Sequence, residues 1–219
     1  MSEIQIKRYA LGPVAANCYV VYRKGSHHAI VIDPADRADV IAAHCRDLGV
    51  VPEAVLLTHG HFDHIMAADE IRKKYQVSIY ACKKEKELLA SADFNLSKPF
   101  TGRPYTLEAD VWVGDGEKLT FTDLSFEVLE TPGHTAGSVC YYMREEAILF
   151  SGDTLFAGSY GRVDFPTSSP ADMVHSLRDI LFLLPEETLV YPGHNEASDI
   201  KTEKRYNAAV ASWGGGRER

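Results

Sequence analysis

Apolar residues fall in short runs along the chain. "CYVVY" (18–22), "AIVID" (29–33), "AVLLT" (54–58), "VSIYA" (77–81), "KLTF" (118–121), "SFEVLE" (125–130), "SVCYYM" (138–143), "AILFS" (147–151) and "TLVYP" (188–192) are each strand-length. Each is bounded by turn residues or charges, so each predicts a β-strand. Between them the spacing predicts helices over 38–48, 64–75, 83–90 and 170–184. The last opens with Ser169 as a cap, Pro170 at the first helical position and Asp172 in the first turn, and then repeats Met173, Leu177, Ile180, Leu181 and Leu184 on one face.

The early strands run as hairpins, with "RKGSHH" (23–28) as a turn, and later segments alternate strand and helix. Two largely antiparallel sheets packed face to face, with helices outside, accommodate this mixture. No internal repeat or low-complexity linker interrupts it. One domain over 1–212 is the expectation, with the Gly-rich, charged tail 213–219 expected to fray. Residues 91–117 are the least regular stretch and carry Phe94, Phe100, Tyr105 and Trp112. Such a segment serves either as a substrate lid or as a packed surface loop.

Composition narrows the function classes. With 219 residues, 45% hydrophobic and 25% charged, the chain buries enough surface to fold without a metal or disulfide staple. A net charge of −8 argues against nucleic-acid or anionic-membrane partners, which need a basic face. Cys18, Cys45, Cys82 and Cys140 are scattered with no CxxC pair, the pattern of free thiols in a reducing compartment. No signal peptide is visible, and no apolar run approaches the roughly 18 residues of a membrane span. A cytoplasmic location is expected.

The chemistry lies at the ends of the strands. Five of the nine histidines occur in "THGHFDH" (58–64), "TPGHTAGS" (131–138) and "YPGHNE" (191–196), and "FSGDTLF" (150–156) closes another strand with Asp153. A turn at a strand end exposes a side chain whose base is held rigidly, as a metal ligand requires. Taken singly, each has a plainer role: His134 and His194 as turn residues, Asp63 as a helix cap, Asp153 as a turn brace. His27, His28, His44 and His175 keep that plainer role. Together, His59, His61, Asp63, His64, His134, Asp153 and His194 exceed what one catalytic zinc takes, which points to two ions. Imidazole and carboxylate donors suit Zn²⁺, Fe²⁺ or Mn²⁺, and the lack of a cysteine among them argues against structural zinc.

The set HxHxDH followed by His, Asp and His resembles the metallo-β-lactamase-fold hydrolases, as does the opening "GPVAANCYVV…VIDP" (12–34). The resemblance implies an α+β fold, the αββα sandwich, with the site at one edge between two mixed sheets. It implies that His59, His61 and His134 hold a first metal, that Asp63, His64 and His194 hold a second, and that Asp153 bridges them. Asp33 would orient a ligand imidazole, or else brace the turn before Pro34. The commonest zinc β-lactamases carry Cys in place of Asp153, and flavodiiron proteins carry Glu in place of His61. No basic insertion like that of the tRNA-processing nucleases is visible.

The nearer likeness is to glyoxalase II-like thioesterases and persulfide dioxygenases, which share a segment similar to "GSYGRVDFP" (158–166). In that segment a salt bridge between Arg162 and Asp164 is expected to brace the loop. The chain ends soon after His194, without the glutathione-binding helical domain of glyoxalase II, so it resembles the short single-domain variants. The implied function is hydrolysis of a small-molecule thioester such as S-lactoylglutathione. Two divalent ions, Zn²⁺ first and Fe²⁺ or Mn²⁺ as alternatives, would share a hydroxide, with Asp63 as the catalytic proton acceptor. The alternatives are a persulfide dioxygenase with one Fe²⁺ on His59, His134 and Asp153, a lactonase of the same fold, and a non-catalytic metal-binding domain.

Overall fold

A computed structural model describes residues 3–212, so the tail expected to fray lies outside the described residues. Two six-stranded sheets lie face to face. The first runs in chain order through β1 (Ile4–Leu11), β2 (Ala16–Arg23), β3 (His28–Ile32), β4 (Val51–Leu56), β5 (Ser78–Cys82) and β6 (Val111–Val113). Its first three strands are antiparallel, and β3 to β6 are parallel. The second sheet contains β7 (Lys118–Thr120), β8 (Ser125–Glu130), β9 (Val139–Met143), β10 (Ile148–Gly152), β11 (Leu189–Pro192) and β12 (Ser198–Asp199). Only its β10–β11 pair is parallel. The expected αββα sandwich of two mixed sheets is the observed architecture.

Alternation along the strands builds three apolar layers. In β2, Tyr19 and Val21 face the second sheet and meet Phe126, Tyr141 and Phe150. Cys18 and Val20 face outward onto Ile41 and Cys45 of α1 (Ala38–Leu48) and Ile71 of α3 (Ala68–Tyr75). Tyr142 and Leu149 on the outer face of the second sheet meet Met173 of α6 (Pro170–His175), Leu177, Leu181 and Ile200 of α7 (Ile200–Tyr206). Because the central strands β2, β3, β9 and β10 are buried on both faces, their sequences read as nearly continuous apolar runs.

Helix 38–48 falls where the spacing put it, closed by Gly49 in the left-handed region. Three other helices need correction. The stretch 64–75 is two helices, α2 (Phe62–Ile65) and α3, because Ala67 N–H leaves the helical ladder and donates to Pro34 O at 3.0 Å. The stretch 83–90 is a 3-10 turn (Lys83–Glu85) followed by α4 (Lys86–Leu89). The stretch 170–184 begins as predicted, with Ser169 Oγ accepting from Asp172 N–H, but is α-helical only to His175. It then widens to a π turn and tightens to a 3-10 turn, while keeping Leu177 and Leu181 buried. Residues 91–117 are not structureless: they contain α5 (Ser97–Thr101) and β6. The segment is pinned by buried Asn95, whose side-chain NH₂ donates to Tyr105 O and whose backbone oxygen accepts from Phe62 N–H. Strand β12 and the helices α7 and α8 (Ala208–Ser212) follow His194. All four cysteines are free and buried, and no helix among the described residues is long and apolar enough to cross a membrane.

Candidate metal centre

Every candidate ligand sits just beyond a strand end. His59 and His61 follow β4, Asp63 and His64 lie in α2, His134 follows β8, Asp153 follows β10 and His194 follows β11. These strands belong to both sheets, so the cluster forms where the two sheets meet at one edge. Backbone bonds lock the junction: Val139 N–H donates to Thr58 O at 2.8 Å, and Gly193 N–H donates to Gly152 O at 2.8 Å. Two glycines permit the crowding. A Cβ on Gly193 would stand 2.2 Å from Asp153 Oδ1, and one on Gly161 would stand 2.0 Å from Asp153 O.

All seven predicted residues come together. One donor atom each from His59, His61 and His134 lies within 4.8 Å of the other two, and the same holds for Asp63, His64 and His194. Asp153 stands between the trios, with Oδ1 3.4 Å from His64 Nε2, and Oδ2 3.5 Å from His134 Nε2 and 3.6 Å from His194 Nε2. Asp63 does not cap its helix; its Oδ2 faces His194 Nε2 at 3.2 Å. The remaining histidines lie elsewhere: His27 against Gly49 O, His28 against Glu53, His44 stacked on Tyr9, and His175 against Asp179.

The ring orientations are set by hydrogen bonds on the side away from the cluster. Asp33 accepts from Thr58 N–H at 2.8 Å, from Thr58 Oγ1–H at 2.6 Å and from His64 Nδ1–H at 2.9 Å. Having donated its own proton to Asp33, Thr58 Oγ1 can only accept from His59 Nδ1–H at 3.2 Å. His134 Nδ1–H donates to Arg162 O at 2.8 Å. Each bond holds a proton on Nδ1, so that Nε2 is the nitrogen turned toward the cluster. Asp33 also lies close enough to His59 and His64 to form a third possible donor group, but its oxygens are already occupied by these three donors. It is the imidazole-orienting acceptor, not merely a turn residue.

Six buried side-chain atoms among the described residues lack a hydrogen-bond partner, and four of them are here: His59 Nε2, His61 Nε2, His64 Nε2 and Asp153 Oδ1. Buried polar groups are almost always satisfied. Orphaned donor atoms concentrated at one point suit a divalent cation. The electrostatics agree. Burial, then the neighbouring His64, hold the His59 imidazole well below its ordinary value, and burial with His134 pushes His61 down to about 3. Burial also opposes charge on His64, but Asp63, Asp153 and Asp33 outweigh it and raise that group well above 6.5. Burial raises Asp63 and Asp153, yet His64 and the other imidazoles prevail and hold both carboxyls low. His59 and His61 are thus held neutral while Asp63 and Asp153 are held ionised, a donor set prepared for positive charge.

Three supports carried no motif in the sequence reading. Buried Glu85 accepts from Gly60 N–H at 2.7 Å and Gly137 N–H at 2.8 Å, tying the loop of His59 and His61 to the loop of His134. Buried Asn17 donates to Pro192 O and Asn195 O, both at 2.9 Å, and Tyr19 Oη donates to Pro192 O at 2.6 Å, fastening the loop of His194. Arg162 and Asp164 form the expected two-pronged bridge at 2.9 and 2.7 Å, both side chains exposed. A cavity of about 230 Å³ opens over the cluster, lined by His61, Asp63, His134, Asp153 and His194, with Val14, Phe62, Leu96, Phe100, Phe156, Phe165 and Arg162 around them.

An αββα sandwich with paired His/Asp trios at one sheet edge defines a metallohydrolase class. The chain belongs to the metallo-beta-lactamase superfamily, whose family model matches residues 11–194. It is similar to the hydroxyacylglutathione hydrolase GloC of Haemophilus influenzae, 32% identical over 91% of this chain and 96% of that one. Among solved structures it is similar to the BLEG-1 B3 metallo-beta-lactamase, with TM-score 0.89 and 36% identity over 94% of this chain and 99% of that one. It is also similar to TTHA1623 in a di-iron-bound form, with TM-score 0.81 and 34% identity over 92% of this chain and 98% of that one.

Proposed function

We propose that the protein is a dinuclear metal-dependent thioesterase. One observation carries the reading: two trios of inward-facing donors flank a shared carboxylate on the floor of a cavity whose lining holds no Ser, Thr, Cys or Lys. The lining offers no hydroxyl, thiol or amine nucleophile, and its carboxylates and imidazoles are the candidate metal ligands, which favours water as the attacking group. His59, His61 and His134 would hold one cation, Asp63, His64 and His194 the other, and Asp153 both. Zinc is the first choice and iron the alternative, given that TTHA1623 takes two irons. Cations there would acidify water from a pKa of 15.7 to about 7 and polarise a carbonyl oxygen.

The chain's own residues do the rest. Asp63, held low and therefore ionised at neutral pH, takes the proton of the attacking water on Oδ2 and returns it to the departing thiolate, so that water and thioester become acid and thiol. Asp33 and Thr58 keep His64 and His59 in the tautomers that face the reacting atoms. The phenylalanine walls lower the polarity around the reacting atoms and strengthen charge interactions there. Similarity to the Haemophilus hydroxyacylglutathione hydrolase supports a thioester as the bond cleaved.

The test is purification without chelators, a count of Zn, Fe and Mn per chain, and parallel assays. S-lactoylglutathione, a β-lactam, an acyl-homoserine lactone and glutathione persulfide with O₂ would be offered side by side. Two metals per chain with thioester cleavage fastest is the expected result. One iron with persulfide-dependent O₂ uptake, or preference for the lactam or lactone, overturns it.

A further inference from the structure

The cavity has a chemical character that the ligand cluster alone does not dictate. Val14, Phe62, Leu96, Phe100, Phe156 and Phe165 wall it, drawn from five separate stretches of chain. The rings form a collar reaching the imidazoles: Phe62 stacks on Phe100 at 5.7 Å, and Phe100 meets Phe165 edge-on at 6.2 Å. Phe165 then stands 5.5 Å from His61, and Phe156 5.9 Å from His194. At the mouth Phe100 is 57% exposed and Val14 45%, a large apolar surface left open to water where most chains would cover it. The one cation in the lining, Arg162, is gripped by both oxygens of Asp164 and lies over the Phe165 ring at 4.2 Å. Its charge is balanced, and no other Lys or Arg lines the cavity to receive the carboxylates of a peptide thiol.

The volume points the same way. About 230 Å³ is below the roughly 300–1,000 Å³ of pockets that enclose drug-sized ligands. At about 30 Å³ for a group the size of a methylene it holds a short to medium acyl chain, and the remainder of a larger conjugate would extend into solvent past Phe100. Resting on the thioesterase reading above, we infer that the collar selects the acyl half of the substrate: an uncharged apolar chain lying from the ligand cluster out along Phe165 and Phe100. Those two rings are the specificity-determining residues.

The experiment uses the metal-loaded protein and S-acyl-N-acetylcysteamine thioesters from acetyl to octanoyl. If the collar holds the chain, kcat/KM rises about fourfold per methylene until the cavity is full, the gain expected from burying each CH₂. Phe100→Ala and Phe165→Ala flatten that slope, and Phe100→Leu restores most of it. A flat series in the parent protein, or S-lactoylglutathione outrunning the butanoyl and hexanoyl thioesters, overturns the inference while leaving the thioesterase reading intact. Calorimetric binding of straight-chain carboxylic acids supplies a readout free of catalysis. Acid affinities that climb with chain length while no thioester is cleaved would sink the thioesterase and keep the apolar collar. Affinities indifferent to length would sink the collar.

Discussion

Replacing Asp33 with Asn isolates one link in the support of the ligand cluster. The residue sits at φ 48°, in the left-handed region that Asp and Asn both tolerate, so the backbone is not the variable. What changes is acceptor capacity. Oδ2 receives the Thr58 hydroxyl and His64 Nδ1–H, and Oδ1 receives Thr58 N–H. An amide offers one oxygen and one NH₂. If the oxygen takes the Oδ1 place, the NH₂ faces the hydroxyl and the ring, driving the His64 proton to Nε2 where a lone pair is needed. If it takes the Oδ2 place, Thr58 N–H is left buried against another donor, at about 1–3 kcal/mol. Loss of an orienting partner typically weakens a metal site about 10–100-fold, or about 1.4–2.7 kcal/mol. Chelator competition with zinc on the stripped protein reads the affinity, and urea unfolding reads the stability. An Asp33→Asn protein binding zinc within threefold of the parent refutes the orienting role.

Three other changes probe different supports. Gly193→Ala puts a methyl 2.2 Å from Asp153 Oδ1 and 2.7 Å from His64 Cε1; metal content by elemental analysis should fall below half that of the parent while circular dichroism is retained, and full occupancy would show that the loop yields. Glu85→Gln sets an NH₂ against Gly60 N–H or Gly137 N–H, so the urea midpoint should drop by the equivalent of about 1–3 kcal/mol, and an unchanged midpoint would deny the strap its role. In metal-free protein, His64 is raised above its ordinary 6.5 by three carboxylates against the pull of burial. Its contribution to stability is therefore complete below pH 6.5 and lost as pH rises through the folded value. Cation uptake must expel the same proton. Calorimetry in buffers of different ionisation enthalpy should detect its release near neutral pH, and zero protons released contradicts this assignment.

The ligands were legible because their types are rare and their strand-end positions repeat, and Asp33 before Pro34 was legible with them; Glu85, Asn17 and Tyr19 were not. Glu85 lies in "KKEKE", where one more charge reads as solvated surface. Its burial follows from Gly60 and Gly137 being brought together across the sheets, a contact no local pattern encodes. The break between α2 and α3 was hidden for a related reason. Phe62 to Tyr75 has good helical periodicity, but Ala67 N–H is claimed by Pro34 O from a neighbouring strand end, a tertiary choice overriding propensity. Strand β6 has three residues, and β12 two, too few for periodicity to register. By contrast 38–48 is closed by its own glycine and faces its own layer, so sequence alone suffices.

The same contrast explains why the cluster sits at this edge. A group of seven polar side chains, five of them fully inside the protein and several with orphaned atoms, opposes folding unless the surroundings are rigid before a ligand arrives. Strand ends supply that rigidity for the backbone. The Asp33–Thr58 pair supplies it for His64 and His59, Arg162 O for His134, Glu85 for the two loops, and Asn17 for the third. Destabilisation is thereby confined to atoms that a cation would satisfy. It follows that metal should stabilise this protein: at a free concentration 1,000 times its dissociation constant, one specific site adds about 4.1 kcal/mol. Urea midpoints that do not move between stripped and zinc-loaded protein would mean that these imidazoles are held for some purpose other than binding metal.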